Sequence, residues 1–100
     1  MNILDFLPTG EQNAISTKQL VALCGYTTAR DLQSAIEVLR NRGEIICSTS
    51  RPPGGYYFPA DEMELRRYVR TNRNRAINTL RSTNGAYRKL KAMERDEGAV

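Results

Sequence analysis

A chain of 100 residues with 40% hydrophobic side chains is long enough for one domain with a core plus an extension, and too apolar for a disordered segment. Its fifteen basic and eleven acidic side chains give a net charge of +4, which favours an anionic partner. The sequence has no histidine, so it lacks the commonest general base, the usual activator of a Ser or Cys nucleophile and the commonest metal ligand, and an enzyme is not expected. Two cysteines, Cys24 and Cys47, make neither a metal cluster nor a disulfide framework and read as reduced core thiols. There is no run of eighteen apolar residues and no basic leader followed by an apolar stretch. The expectation is a soluble, cytoplasmic protein without a membrane partner.

Ile3, Leu4, Phe6 and Leu7 make one apolar helical face that Pro8 and Gly10 cut short, so the chain opens with a short first helix. Ala14-Ile15 reads as a strand of two or three residues. Ser16-Thr17-Lys18-Gln19 has the capping-box pattern and predicts a helix from Thr17, with Leu20, Val21, Leu23 and Cys24 as its stripe and Gly25 as its end. Only Tyr26 and Thr27 precede a second cap, Thr28-Ala29-Arg30-Asp31, which opens a helix running to Arg42. Two helices joined this closely, through a turn that contains glycine, have the spacing of a helix-turn-helix.

Leu32, Ala35, Ile36 and Leu39 give that second helix its buried face. Arg30, Gln33, Ser34, Glu37 and Asn41 occupy the opposite one, and such hydrogen-bonding side chains suit the edges of bases in a major groove. Glu44 to Ser50 predicts a strand, Arg51-Pro52-Pro53-Gly54-Gly55 a turn, and Tyr56 to Pro59 a second strand with Tyr56 and Phe58 on one face and Tyr57 on the other. Gly54-Gly55 leads from strand to strand and matches no phosphate-binding loop, so neither a cofactor nor a small-molecule substrate is expected. A long amphipathic helix starts at Asp61, with a break predicted at Asn84-Gly85.

The charge is unevenly distributed. Residues 1–60 carry five basic and five acidic side chains, whereas nine basic and no acidic ones lie between Arg66 and Lys91. The order helix, turn, helix, strand, turn, strand resembles a winged helix-turn-helix DNA-binding domain. Gly55-Tyr56-Tyr57-Phe58-Pro59 is similar to the G-Y-x-(L/F)-P end of the wing in biotin-repressor-type N-terminal domains. Leu20-Val21-Ala22-Leu23-Cys24-Gly25 and Leu39-Arg40-Asn41-Arg42-Gly43 resemble helix ends in small winged-helix proteins of bacterial prophages. The resemblance covers residues 1 to about 70.

It implies an α+β fold that is mostly helical: a winged helix over 1–60, with a three-helix helix-turn-helix core and a β-hairpin wing, then a basic helix over 61–95 and a disordered tail over 96–100. It also implies double-stranded DNA as partner. Thr27, Thr28, Arg30, Gln33, Ser34 and Glu37 would face the major groove, Lys18 would meet a phosphate and Arg51 would mark the wing tip. Arg66, Arg67, Arg70 and Arg73 would act with the wing, because a winged portion bearing Asp31 and Glu37 and no net positive charge binds phosphate weakly alone. The apolar stripe of the last helix offers a homodimer surface. The alternative is a winged helix used as a protein-interaction adaptor, docking through that helix.

Overall fold

Two polar side chains decide where the first α-helices begin. In the computed structural model, which describes residues 2–98, Ser16 Oγ accepts the Gln19 N–H at 3.1 Å and the Gln19 side chain returns to the Ser16 backbone. The expected capping box thus opens α1 (Thr17–Cys24), and Gly25 closes it in the left-handed conformation at φ +76°. Thr28 Oγ1 accepts the Asp31 N–H at 3.1 Å and starts α2 (Ala29–Asn41). Leu20 of α1 and Leu32 and Ile36 of α2 are buried in one apolar cluster with Ile3, Leu7, Ile46 and Tyr56.

The expected first helix is a single 3₁₀ turn, Ile3–Phe6, opened by Asn2 Oδ1 accepting the Leu4 N–H at 3.2 Å. Leu7 already has extended backbone, the conformation a following proline imposes, and so the turn cannot grow. A second 3₁₀ turn spans Glu11–Asn13.

The hairpin forms as β1 (Cys47–Thr49) and β2 (Gly55–Tyr57), antiparallel with Cys47 opposite Tyr57. Both strands are shorter than the sequence suggests, because neighbouring backbone groups bond elsewhere. The Glu44 N–H donates to Leu39 O at 3.1 Å, and Ile46 O accepts Arg40 Nε at 2.8 Å, so this stretch is tied to the end of α2. On the other edge of β2, Ile15 and Tyr56 exchange both backbone bonds at 2.8 and 2.9 Å. The Phe58 N–H donates to Pro8 O at 2.7 Å, and Phe58 O accepts from Gly10 at 2.8 Å. Ile15 therefore forms the short strand contact expected there as one isolated bridge. The alternation along the second strand is as read: Tyr56 and Phe58 join the first cluster, while Tyr57 packs with Ala14 and Cys47 in a second, flanked by Leu65 and Tyr68.

Asp61 Oδ1 accepts the Glu64 N–H at 2.8 Å at the start of α3 (Glu62–Gly98). Glu64 Oε1 in turn accepts the N–H groups of Glu11 at 2.9 Å and Ala60 at 3.2 Å. The helix passes through Asn84 and Gly85 without the expected break. Ser82 and Thr83 donate their hydroxyls back to Thr79 O and Leu80 O at 2.8 and 2.9 Å, so these two hydroxyls are satisfied within the helix. One mid-helix glycine costs only about 1 kcal/mol, less than the ladder a turn would interrupt. The chain divides into two compact units after Tyr68, and Leu65 and Tyr68 pack on the hairpin cluster within the first. The helix includes residues 96–98 of the expected tail, and 99 and 100 lie outside the described residues. The class is α+β: short helices, a two-stranded antiparallel hairpin and a long C-terminal helix.

Gly55 carries the tightest steric demand. A Cβ there would lie 1.8 Å from Ile15 O, and φ is +124°. Gly25 has positive φ but nothing within 4 Å. Gly25→Ala should therefore cost about 1 kcal/mol of strain alone, and Gly55→Ala clearly more, above about 2 kcal/mol. Urea unfolding of the two variants measures the difference; equal losses would show that the Ile15 contact relaxes freely.

Burial also sets an alkaline limit. It pushes the Cys47 thiol from an ordinary 9.0 up to about 11, and raises the Tyr57 hydroxyl in the same direction. Both groups hold their protons more firmly folded than unfolded; the Cys47 contribution is complete below about pH 9 and is lost as pH rises through about 11, and that of Tyr57 persists to higher pH. Unfolding midpoints should fall between about pH 8 and about pH 10.5, and Cys47→Ala should make that decline shallower.

Candidate nucleic-acid interface

At about 100° per residue, Arg30, Gln33, Ser34, Glu37 and Asn41 fall within an arc of about 100° on α2, opposite Leu32, Ile36 and Leu39. All five are exposed. The fold therefore gathers four of the expected base-reading side chains on one helix face, where Glu37 brings an acceptor and Arg30 a fork of donors. Thr27 and Thr28 are exposed just before the helix, and the Thr28 hydroxyl is engaged as its cap. Asp31 is exposed in the first turn, next to the positive end of the helix dipole. Lys18 is exposed in the first turn of α1.

Arg51 occupies the turn between β1 and β2 and is exposed, with its guanidinium 3.8 Å from Glu11 Oε1. Glu11 Oε2 also accepts the Tyr57 hydroxyl at 3.4 Å. At that distance and exposure the ion pair is weak, and it leaves the guanidinium available to a phosphate. Arg66 pairs with Glu62 one helical turn back, and Arg67 is exposed; both belong to the unit that ends at Tyr68.

Arg70 and Arg73 belong to the helical unit that follows, and both are exposed. Arg81, Arg88 and Lys91 share their face, all five falling within an arc of about 80°. The last three were not among the sequence-derived site residues. Their positions at 81, 88 and 91 carry the signal, since each lies close to a whole number of turns from Arg70 or Arg73. Lys91 is partly engaged, 3.4 Å from Glu94 Oε2 and 5.6 Å from the Tyr87 ring centre.

The two units differ in charge. Residues 1–68 hold seven basic and eight acidic side chains, a net of −1, and residues 69–100 hold eight basic and three acidic, a net of +5. A polyanion drawn by long-range attraction is drawn to the second unit.

Arg40 belongs to the fold rather than to this surface. Its guanidinium carbon stands 6.0 Å from the Tyr56 ring centre and 5.7 Å from that of Tyr68, and Nε donates to Ile46 O. Its Nη2 is enclosed and makes no hydrogen bond among the described residues. Among the described residues, no group of three or more Cys, Asp and Glu side chains could hold a metal ion, and no helix is long and apolar enough to cross a membrane. No protein-family model, curated protein sequence or solved structure matches the chain.

The arginines of α2 should separate by role. Arg40→Ala removes two ring contacts and a hydrogen bond and should lower stability by about 2 kcal/mol. Arg30→Ala, on the exposed face, should leave the urea midpoint within about 0.5 kcal/mol of the parent. A comparable loss from Arg30→Ala would assign that residue to the fold and take it out of the interface.

Proposed function

We propose that this chain is a non-enzymatic, cytoplasmic winged-helix DNA-binding protein, a phage or prophage transcription regulator or accessory factor. The observation that carries the reading is the division of charge: a near-neutral unit with a polar helix face, followed by a helical unit of net charge +5. In this reading α2 enters the major groove, with Arg30 directed at guanine and Glu37 accepting from cytosine. Gln33, Ser34 and Thr27 complete the reading face. Lys18 meets a phosphate, Arg51 exchanges its weak pairing with Glu11 for one, and Arg66, Arg67, Arg70 and Arg73 follow the backbone. Selectivity then comes from the first unit and most of the affinity from α3. A homodimer joined through α3 would set the spacing of two half-sites.

A second reading is favoured by the exposed Asp31 and Glu37 and by the half-exposed Leu23, Val38 and Ile45 of the first unit. These suit a protein partner better than a phosphate backbone, and make the winged helix an adaptor surface.

Fluorescence anisotropy with random duplex DNA separates the two. With six or more phosphate contacts, affinity should fall by about 10³ between about 50 and 200 mM salt. Replacing Arg70 and Arg73 by Gln should reduce the slope of log K against log salt by about 2. Selection from a random DNA pool should enrich a site, and Arg30→Ala should alter the enriched sequence. No binding at about 50 mM salt, or an unenriched pool, favours the adaptor.

A further inference from the structure

The helical unit beyond Tyr68 exposes an apolar stripe. Val69, Ala76, Leu80 and Tyr87 fall within about 40° of one another around the helix, with Leu90 at the stripe's edge. Leu80 is 66% exposed, Tyr87 59% and Leu90 52%. Scattered exposed apolar residues are ordinary, but these are aligned over about 30 Å of helix. Large and small side chains alternate along the line, with Leu80 and Tyr87 separated by Thr83. The Thr83 hydroxyl is satisfied by Leu80 O at 2.9 Å, so it brings no unpaired polar group into a seam. Such relief is complementary to itself: a two-fold pair seats Leu80 or Tyr87 of one copy against Ala76 or Thr83 of the other.

Two magnitudes limit that pairing. A stripe about 30 Å long and about 10 Å wide offers about 300 Å² per copy, well under the roughly 800 Å² per partner of a standard interface. Between Val69 and Lys91 there are seven basic side chains and no acidic one, and Arg73 and Lys91 border the stripe directly. Two copies would bring together two units of net charge +5 each. The seam is thus too small to hold two copies against their own repulsion.

We propose that the stripe pairs with that of a second copy, and that charge holds the pairing off until a polyanion neutralises the arginines and lysines beside it. The identity of the polyanion as duplex DNA rests on the function proposed above. Phosphates remove the repulsion, and two copies on one duplex meet at an effective concentration that a small seam can exploit. Occupation of one site then favours occupation of the next.

Sedimentation of the full chain without DNA tests the pairing on its own. Salt shortens the reach of the repulsion, to about 3 Å at 1 M. The chain should be monomeric at about 0.05 M NaCl and shift toward dimer at about 1 M, by at least about 10-fold in the association constant. The double variant Leu80→Gln, Leu90→Gln keeps good helix formers and should stay monomeric at both salts, with unchanged far-ultraviolet circular dichroism. Titration of a duplex of about 30 base pairs tests the coupling: the parent should bind with a Hill coefficient near 2, and the double variant near 1 with first-site affinity within about threefold. A monomer at 1 M NaCl, or a dimer already stable at low salt, overturns the proposal whether or not DNA binds, the former assigning the stripe to a different protein. Non-cooperative binding by the parent overturns the coupling. Dimerisation at high salt without any DNA binding overturns the proposed function and leaves the self-pairing standing.

Discussion

Everything in the first unit depends on a close approach of two backbones. Ile15 and Tyr56 exchange both of their hydrogen bonds, and they come near enough only because Gly55 has no side chain where Ile15 O stands. The residue after Ile15 is the N-cap of α1, so this contact fixes the origin of a helix as well as the edge of a hairpin. Tyr56 is held with its ring in the cluster that contains Leu20 of α1 and Leu32 and Ile36 of α2. One missing Cβ thus sets the hairpin against the helix pair. Local propensity would position neither relative to the other.

The far face of the hairpin has a different function. Tyr57 and Cys47 are cross-strand partners turned away from the helices, and Leu65 and Tyr68 of α3 close over them. Arg40 connects the two sides, since it approaches Tyr56 from one cluster and Tyr68 from the edge of the other. A guanidinium suits that position because it stacks on rings while keeping a donor for Ile46 O. The end of α2 and the start of α3 are joined there by one guanidinium, whose Nη2 is enclosed between them.

Much of this was legible in the sequence, and the readable parts are the local ones. The caps at Ser16 and Thr28, the glycine after Cys24 and the alternation of Tyr56, Tyr57 and Phe58 each depend on residues within four positions of one another. What could not be read involves distant partners. The Glu44 and Ile46 backbones bond to α2, which shortens β1, and nothing within the strand announces it. The roles of Arg40, Glu11 and Glu64 could not be read, because their partners Tyr68, Tyr57 and the Glu11 amide lie far along the chain. Asn84-Gly85 misled for the opposite reason: a turn preference is local, whereas the ladder that overrides it runs the length of α3. On the candidate interface, the residue types on α2 were legible from helical spacing, as were Arg70 and Arg73. Arg81, Arg88 and Lys91 required the helix to remain unbroken before they could be assigned to the same face.

The bond from Glu64 to the Glu11 and Ala60 amides has a consequence for how α3 comes into being. A helix in water must first fix one unrewarded turn, at a nucleation cost of about 4 kcal/mol when the nucleation constant is about 10⁻³. Here the first turn, capped by Asp61 and held by Glu64, Leu65 and Tyr68, is completed as part of the folded first unit. The arginine-rich stretch therefore has only to propagate from an existing end, one bond per residue. Mutually repelling side chains that would oppose an isolated peptide helix can be carried on it because the folded domain supplies the nucleus.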